Sequence, residues 1–433
     1  MNPNRNPAPS TFGELLTQSY LTIPHFTLEC GASLSSVSVA YKTWGTLNEG
    51  KDNVMIICHA FTGSADVADW WGPLMGPGKA FDPRRYFIFC ANVIGSPYGT
   101  ASPVSLNPDT GNPYGPDFPP TSIRDDIRLH KLVLDHLGVS SVSVVIGGSM
   151  GGMAVLEWPL CTSPGYVKHI IPLATSARHS AWCISWGEAQ RQCIYSDPGY
   201  LDAAARMSAL LTYRSRDSFE RRFGRKAQVG TSKGGSGGGI LTPPCSPKIR
   251  AQDDARDLHN DGNRNMSPPP PQPNPIFSAQ SYLRYQGDKF TARFDANCYI
   301  HLTRKLDTHD VARDRALPDE SDADALARVL SNLPRGSLVI SISTDGLFTP
   351  SEQKELAAHI PEAELVVIQS NDGHDGFLLE FEQINKNIMK FLKREFPRLY
   401  EGNVDGDVEE AVGGFEITKT SLFGEAEADI THW

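Results

Sequence analysis

One stretch constrains this chain more than any other: Ser141-Val142-Ser143-Val144-Val145-Ile146-Gly147-Gly148-Ser149-Met150-Gly151-Gly152-Met153. The β-branched run before the glycines predicts a buried strand, and the residues after Ser149 predict a helix. A serine set in Gly-x-Ser-x-Gly between strand and helix is the pattern of a nucleophile elbow. Glycines on either side are required because neighbouring backbone comes close, while the serine itself occupies a strained turn. Its hydroxyl is then presented at a helix N-terminus, where backbone N–H groups favour developing negative charge. Gly-x-Ser-x-Gly alone arises often by chance; the strand before it and the helix after it carry the assignment.

A strand that feeds directly into a helix implies an α/β sheet, and the rest of the pattern agrees. Ser36 to Tyr41, Val54 to His59, Tyr86 to Asn92 and Val142 to Gly147 are predicted strands. The second and third are continuous apolar runs, as expected of strands covered on both faces. Between the last two, Ser122 and Asp125 predict a capping box opening a helix that ends at Gly138 and presents Ile123, Ile127, His130, Leu134 and Leu137 on one face. Ser337 to Ser343 and Leu365 to Gln369 continue the sheet, and Phe377 to Phe396 contains a helix with Ile384, Ile388, Phe391 and Leu392 on one face. No repeat of fixed period interrupts this order.

The intervening segments divide the chain. Residues 1–25 are expected to be an N-terminal tail, 26–176 the first part of an α/β core, 177–310 a helical cap, 311–396 the second part of the core, and 397–433 an acidic tail. Within the cap, residues 226–276 hold 16 Gly or Pro among 51 and no aromatic residue. Such a stretch cannot bury enough apolar surface to offset its ordering entropy, so it is expected to be a disordered insertion. The chain as a whole is 40% apolar and 21% charged, an ordinary globular balance.

Charge and cysteine usage narrow the function classes. Forty basic residues against fifty acidic ones leave a net charge of −10, which disfavours nucleic acid and anionic membrane surfaces. No apolar run approaches the roughly 18 residues that span a bilayer, and no apolar segment follows Met1-Asn2-Pro3-Asn4-Arg5. A soluble, cytoplasmic protein is expected. The eight cysteines, at 30, 58, 90, 161, 183, 193, 245 and 298, form no CxxC pair and have no histidine spaced to complete a zinc site. Reduced thiols and no metal are expected.

A serine hydroxyl needs a base, and a His oriented by a carboxylate should follow in the order Ser, Asp, His. Asp345 directly follows the strand ending at Ser343, and His374 follows the next strand in the loop Asn371-Asp372-Gly373-His374-Asp375. Both lie at carboxyl ends of strands, where open α/β sheets place their sites. His301, His309 and His259 belong to cap or insertion, and His169 and His179 follow the nucleophile helix too soon. His59 opens the loop His59-Ala60-Phe61-Thr62-Gly63-Ser64, for which a role in positioning backbone is expected, with the N–H groups of Phe61 and Met150 forming an oxyanion hole.

With these residues placed, the chain resembles the homoserine O-acetyltransferase family of the α/β-hydrolase fold, in its fungal form. The matching stretches include Ala40-Tyr41-Lys42-Thr43-Trp44-Gly45-Thr46-Leu47-Asn48, the His59-to-Gly63 loop and Gly95-Ser96-Pro97-Tyr98-Gly99-Thr100. They continue through Gly148-Ser149-Met150-Gly151-Gly152-Met153, Ser281-Tyr282-Leu283-Arg284-Tyr285-Gln286-Gly287, Phe294-Asp295-Ala296-Asn297 and Gly373-His374-Asp375. The resemblance spans Phe26 to Arg394 apart from the insertion.

It implies a mostly parallel sheet with helices on both faces and an inserted helical cap. It also implies ping-pong acetyl transfer from acetyl-CoA, a co-substrate and not a tightly bound cofactor, to the γ-hydroxyl of L-homoserine through an acyl-Ser149 intermediate, in methionine synthesis. Arg206, Tyr213 and Asp375 match the residues with which the family recognises the amino acid. A homodimer through the cap is left open. The chain departs from the family pattern in the six residues, Gly199 to Ala204, that replace a longer loop before Arg206, and in Phe61, where Leu is common. The same triad would serve acylation of serine or a β-lactam intermediate, donation from succinyl-CoA, or an esterase. A non-enzymatic scaffold presenting the Pro-rich insertion is the remaining alternative.

Overall fold

A computed structural model describes residues 12, 17–226 and 277–401. Eight strands form one sheet: β1 Ser19–Thr27, β2 Ser33–Trp44, β3 Val54–Cys58, β4 Phe87–Ala91, β5 Val142–Gly148, β6 Val167–Leu173, β7 Leu338–Ile342 and β8 Glu364–Ile368. Their order is β1-β2-β4-β3-β5-β6-β7-β8. The hairpin β1–β2 and the pair β2–β4 are antiparallel; every later pair is parallel.

The central strands are buried on both faces. Register slips between β3 and β5 at Val54/Met55, so Val142 and Val144 point into opposite layers, with Val145 joining Val142 and Ile146 joining Val144. Ser143, at the irregularity, donates through its hydroxyl to Asp52 O at 2.6 Å. The extra residue is thus tied down by a side-chain bond instead of a ladder bond. One layer packs under α2 Ile123–His136 and α3 Met150–Leu160; the other packs under the short α1 Val67–Trp70 and the helix Phe381–Glu395, whose Ile384, Ile388, Phe391 and Leu392 are all buried. The capping box at Ser122 and Asp125 is present and starts α2 at Ile123.

Between β6 and β7 the described chain is helical: α4 Ala181–Tyr195, α5 Ala203–Tyr213, α6 Arg216–Arg222, α7 Ser278–Thr291, α8 Ala296–Asp307 and α9 Asp322–Ser331. The Gly- and Pro-rich stretch from 227 to 276 lies outside the described residues, as does the acidic segment from 402 onward.

Three features depart from the sequence reading. Most of β1 falls in residues assigned to the N-terminal tail; its partner β2 supplies eight register pairs from Ser19↔Tyr41 to Thr27↔Ser33, and such pairing stabilises a strand whose apolar pattern is interrupted by Pro24 and His25. β6 was not predicted, because Lys168, His169 and Pro172 dilute its apolar run. Pro397–Tyr400, placed in the C-terminal tail, forms a helical turn docked on the core, where the Arg85 guanidinium lies 4.7 Å over the Tyr400 ring and Tyr400 Oη is 3.3 Å from Tyr86 Oη.

Candidate active site

Ser149 stands between β5 and α3 with φ 58° and ψ −126°. A positive φ in a residue with a side chain is strained, and the surroundings enforce it. A Cβ on Gly147 would lie 2.7 Å from the backbone of Gly151, and one on Gly151 would lie 2.1 Å from Cys58 O. The Ser149 N–H donates to Leu173 O at 3.0 Å, and Thr175 Oγ1 donates to Ser149 O at 2.8 Å. The overlooked strand β6 therefore fixes the backbone of the elbow. Met150 opens α3, so its N–H is one of the first-turn donors that have no intrahelical acceptor.

The Phe61 loop is anchored by His59. Val93 N–H donates to His59 Nε2 at 3.1 Å, which leaves the proton on Nδ1, 2.8 Å from Ala60 O. Complete burial pushes this imidazole down to about 4, so it is neutral. Phe61 is buried and meets the Tyr299 ring edge-on at 4.9 Å between centroids.

Asp345 and His374 are paired in the interior. His374 Nδ1 lies 2.7 Å from Asp345 Oδ2, while Asp345 Oδ1 accepts from the N–H groups of Leu347 and Phe348, each at 2.9 Å. With both carboxylate oxygens engaged, the aspartate assigns the imidazole proton to Nδ1, so that Nε2 carries the lone pair. The imidazole sits among Phe377, Phe348 and Tyr213, with centroids at 5.1, 5.3 and 6.1 Å. Ser149, Phe61, Tyr213 and Phe348 line one cavity, along with Trp186 and His179 of the cap side. Ser149 thus lines this cavity, and the imidazole packs against two of its wall residues, Phe348 and Tyr213.

The other histidines lie elsewhere, His179 excepted. His301 bonds Thr121 Oγ1 at 2.7 Å, His309 approaches Ser176 O at 3.3 Å, and His169 lies 3.6 Å from Glu395. His259 falls outside the described residues. His179, set aside on its position in the sequence, belongs to the cavity wall, where burial pushes it down to about 3. Order along the chain carries no information about which loops fold back over a sheet edge.

Of the three residues matched to amino-acid recognition, Tyr213 lines this cavity, whereas Arg206 and Asp375 are not among its lining residues. Tyr213 ends α5 and lines the cavity. Arg206, earlier on α5, is 2% exposed, and its guanidinium lies 5.8 Å over the Tyr213 ring and 5.0 Å over the Phe290 ring. Asp375 is buried beside His374. Sequence reading missed its neighbour: Arg214 Nε lies 2.6 Å from Asp375 Oδ2, and Arg214 Nη1 lies 3.2 Å from Asp372 Oδ1. The Asp375 contact is one of charge and proximity more than an aligned N–H bond. The available signal was the Tyr-Arg-Ser run at the end of α5 set against a loop with acids on both sides of a histidine.

Among the described residues, no cluster of three or more His, Cys, Asp or Glu side chains could hold a metal, and no helix is long and apolar enough to cross a membrane. The seven described cysteines are free.

Residues 53–381 match the family described as alpha/beta hydrolase fold, the class that the mostly parallel sheet and the serine elbow define. Homoserine O-acetyltransferase of Cryptococcus neoformans var. grubii is 52% identical, covering 100% of this chain and 99% of its own length. The Saccharomyces cerevisiae enzyme of the same name is 48% identical over 96% of this chain and 94% of its own. A crystal structure of homoserine O-acetyltransferase from Bacillus anthracis superposes with a TM-score of 0.69 at 21% identity, covering 87% of this chain and 98% of that one. The chain belongs to the homoserine O-acetyltransferase family, whose members are acyltransferases working on small molecules.

Proposed function

We propose that this protein transfers an acetyl group from acetyl-CoA to the γ-hydroxyl of L-homoserine, a step toward methionine, through an acyl-Ser149 intermediate. Ser149 Oγ attacks the thioester carbonyl as His374 Nε2 takes its proton, and the N–H groups of Phe61 and Met150 hold the oxyanion. The CoA thiolate leaves and takes the proton from His374. The homoserine hydroxyl then gives its proton to His374, attacks the acyl carbon and releases Ser149, which recovers the proton. Asp345 keeps the imidazole in the required tautomer throughout.

One observation carries this reading: a buried His374–Asp345 pair, 2.7 Å apart, beside the cavity that the strained Ser149 elbow enters. For the acceptor, Arg206 offers a guanidinium to the carboxylate and Asp375 a carboxylate to the ammonium, and Tyr213 contributes to the cavity wall.

The test is a steady-state screen of acetyl-CoA and succinyl-CoA against homoserine, serine and water. The expected outcome is stoichiometric release of CoA without acceptor, and turnover with acetyl-CoA and homoserine. Ser149→Ala should abolish the acylation burst, a loss on the order of 10⁶-fold in related serine chemistry. Turnover that runs equally well with water as acceptor would make the protein an esterase.

A further inference from the structure

The C-terminal end of α5 grips the loop that carries His374, and it does so through more than packing. A Cβ on Gly373 would lie 2.6 Å from Ser215 N and 2.9 Å from Tyr213 O, so cap backbone and histidine loop are already in contact. Gly373 has φ +69°, which permits this approach. The Ser215 hydroxyl donates to Asn371 O, and Ser218 Oγ donates to Asp372 Oδ1 at 2.5 Å. At the centre stands Arg214, with a side chain 5% exposed, touching both Asp372 and Asp375.

The charges are uneven in a useful way. Two carboxylates and one guanidinium leave the cluster with one net negative charge (−1 −1 +1). Asp375 is the deeper of the two acids, its side chain 3% exposed against 30% for Asp372. A buried carboxylate without a cation takes up a proton or turns away. Beside Arg214 it keeps its charge, and the second carboxylate prevents the guanidinium from neutralising the pair. Lysine would bridge the two acids less well, because its ammonium is a compact point charge and the guanidinium is a planar fork.

We propose that Arg214 is a positioning residue for the acceptor step: by bridging Asp372 and Asp375 it holds Asp375 as an oriented carboxylate for the acceptor's ammonium group. This rests on the acetyl-transfer reading above. In a ping-pong reaction kcat/KM for acetyl-CoA reports acylation and kcat/KM for homoserine reports transfer, so the two halves are read independently.

Full-length Arg214→Gln, Arg214→Lys and the double variant Arg214→Gln/Asp372→Asn decide the matter. Arg214→Gln should lower kcat/KM for homoserine at least ten-fold more than kcat/KM for acetyl-CoA. Arg214→Lys should show the same bias to a smaller extent. The double variant should recover part of the homoserine loss, because removing Asp372 restores one net negative charge and relieves repulsion on Asp375.

A clasp that served only to hold the fold would behave oppositely: both constants would fall together, and losing Asp372 as well would deepen the defect. Either result overturns the assignment. If the Gln variant does not fold, the Lys variant alone decides, by bias or by equal loss. Failure of the acetyl-transfer reading shows separately, as absent homoserine-dependent turnover in the unaltered protein.

Discussion

The two sides of the cavity are built by different means. On the nucleophile side, Ser149 is held by backbone: Gly147 and Gly151 leave no room for a side chain, and Leu173 and Thr175 bond both ends of its peptide unit. On the base side, His374 is held by side chains, through Asp345 below and through the Arg214 cluster and Tyr213 from the cap. Backbone sterics tolerate almost no displacement, because the neighbouring atoms cannot rotate away. Ion pairs and ring contacts can follow a moving cap. The serine is therefore fixed chiefly by backbone, and the side chains that pack around His374 come in part from the cap.

The largest expected effect breaks the base side. Asp345→Asn keeps the shape but offers an N–H toward His374 Nδ1, inverting the tautomer; kcat should fall by about 10⁴-fold with little change in thermal stability. A loss below ten-fold would mean that the Leu347 and Phe348 contacts, not the carboxylate, organise this side.

Next comes Gly151→Ala on the nucleophile side. In an ordinary helix this change gains about 1 kcal/mol. Here the new Cβ would meet Cys58 O at 2.1 Å and His59 O at 3.0 Å, both backbone atoms. A net destabilisation of about 1–3 kcal/mol is expected from chemical denaturation. A stabilised variant would show that the elbow has more slack than its geometry allows.

The smallest effect sharpens the comparison by pH. His59 is held at about 4 when folded, against an ordinary 6.5. Between those values the unfolded chain binds the proton and the folded one does not, so the stability gained from a neutral buried His59 is present above pH 6.5 and lost as pH falls toward 4. His59→Asn removes that dependence. Its destabilisation should be greatest near pH 8 and shrink on acidification, by at most about 1.4 kcal/mol per pH unit. Denaturation midpoints of both proteins at pH 8, 6 and 5 measure it, and a gap that widens in acid would refute it.

Much of this was legible in sequence because it is local. The run from Val142 through Ser149 to Met153 dictates strand, turn and helix from its own residues, and Ser122 with Asp125 does the same for the start of α2. Asp345 and His374 could be chosen because each follows directly on an apolar run, and strand ends are where such sheets place their sites. β6 was not legible, since its strand character comes from pairing between β5 and β7 and not from Lys168, His169 or Pro172. Nor was the place of His179, which depends on how α4 turns back over the sheet.

What the amino-acid order determined by itself was the elbow, the alternation of strands and helices, and the identity of one serine, one aspartate and one histidine, since short-range sterics and hydrophobic period are written residue by residue. Only the tertiary structure decided that Arg214 meets Asp372 and Asp375, more than 150 positions further along the chain. Long-range charge pairing leaves no periodic mark in a sequence: an arginine at a helix end reads the same whether it faces water or two carboxylates, and only the packing of cap on sheet distinguishes them.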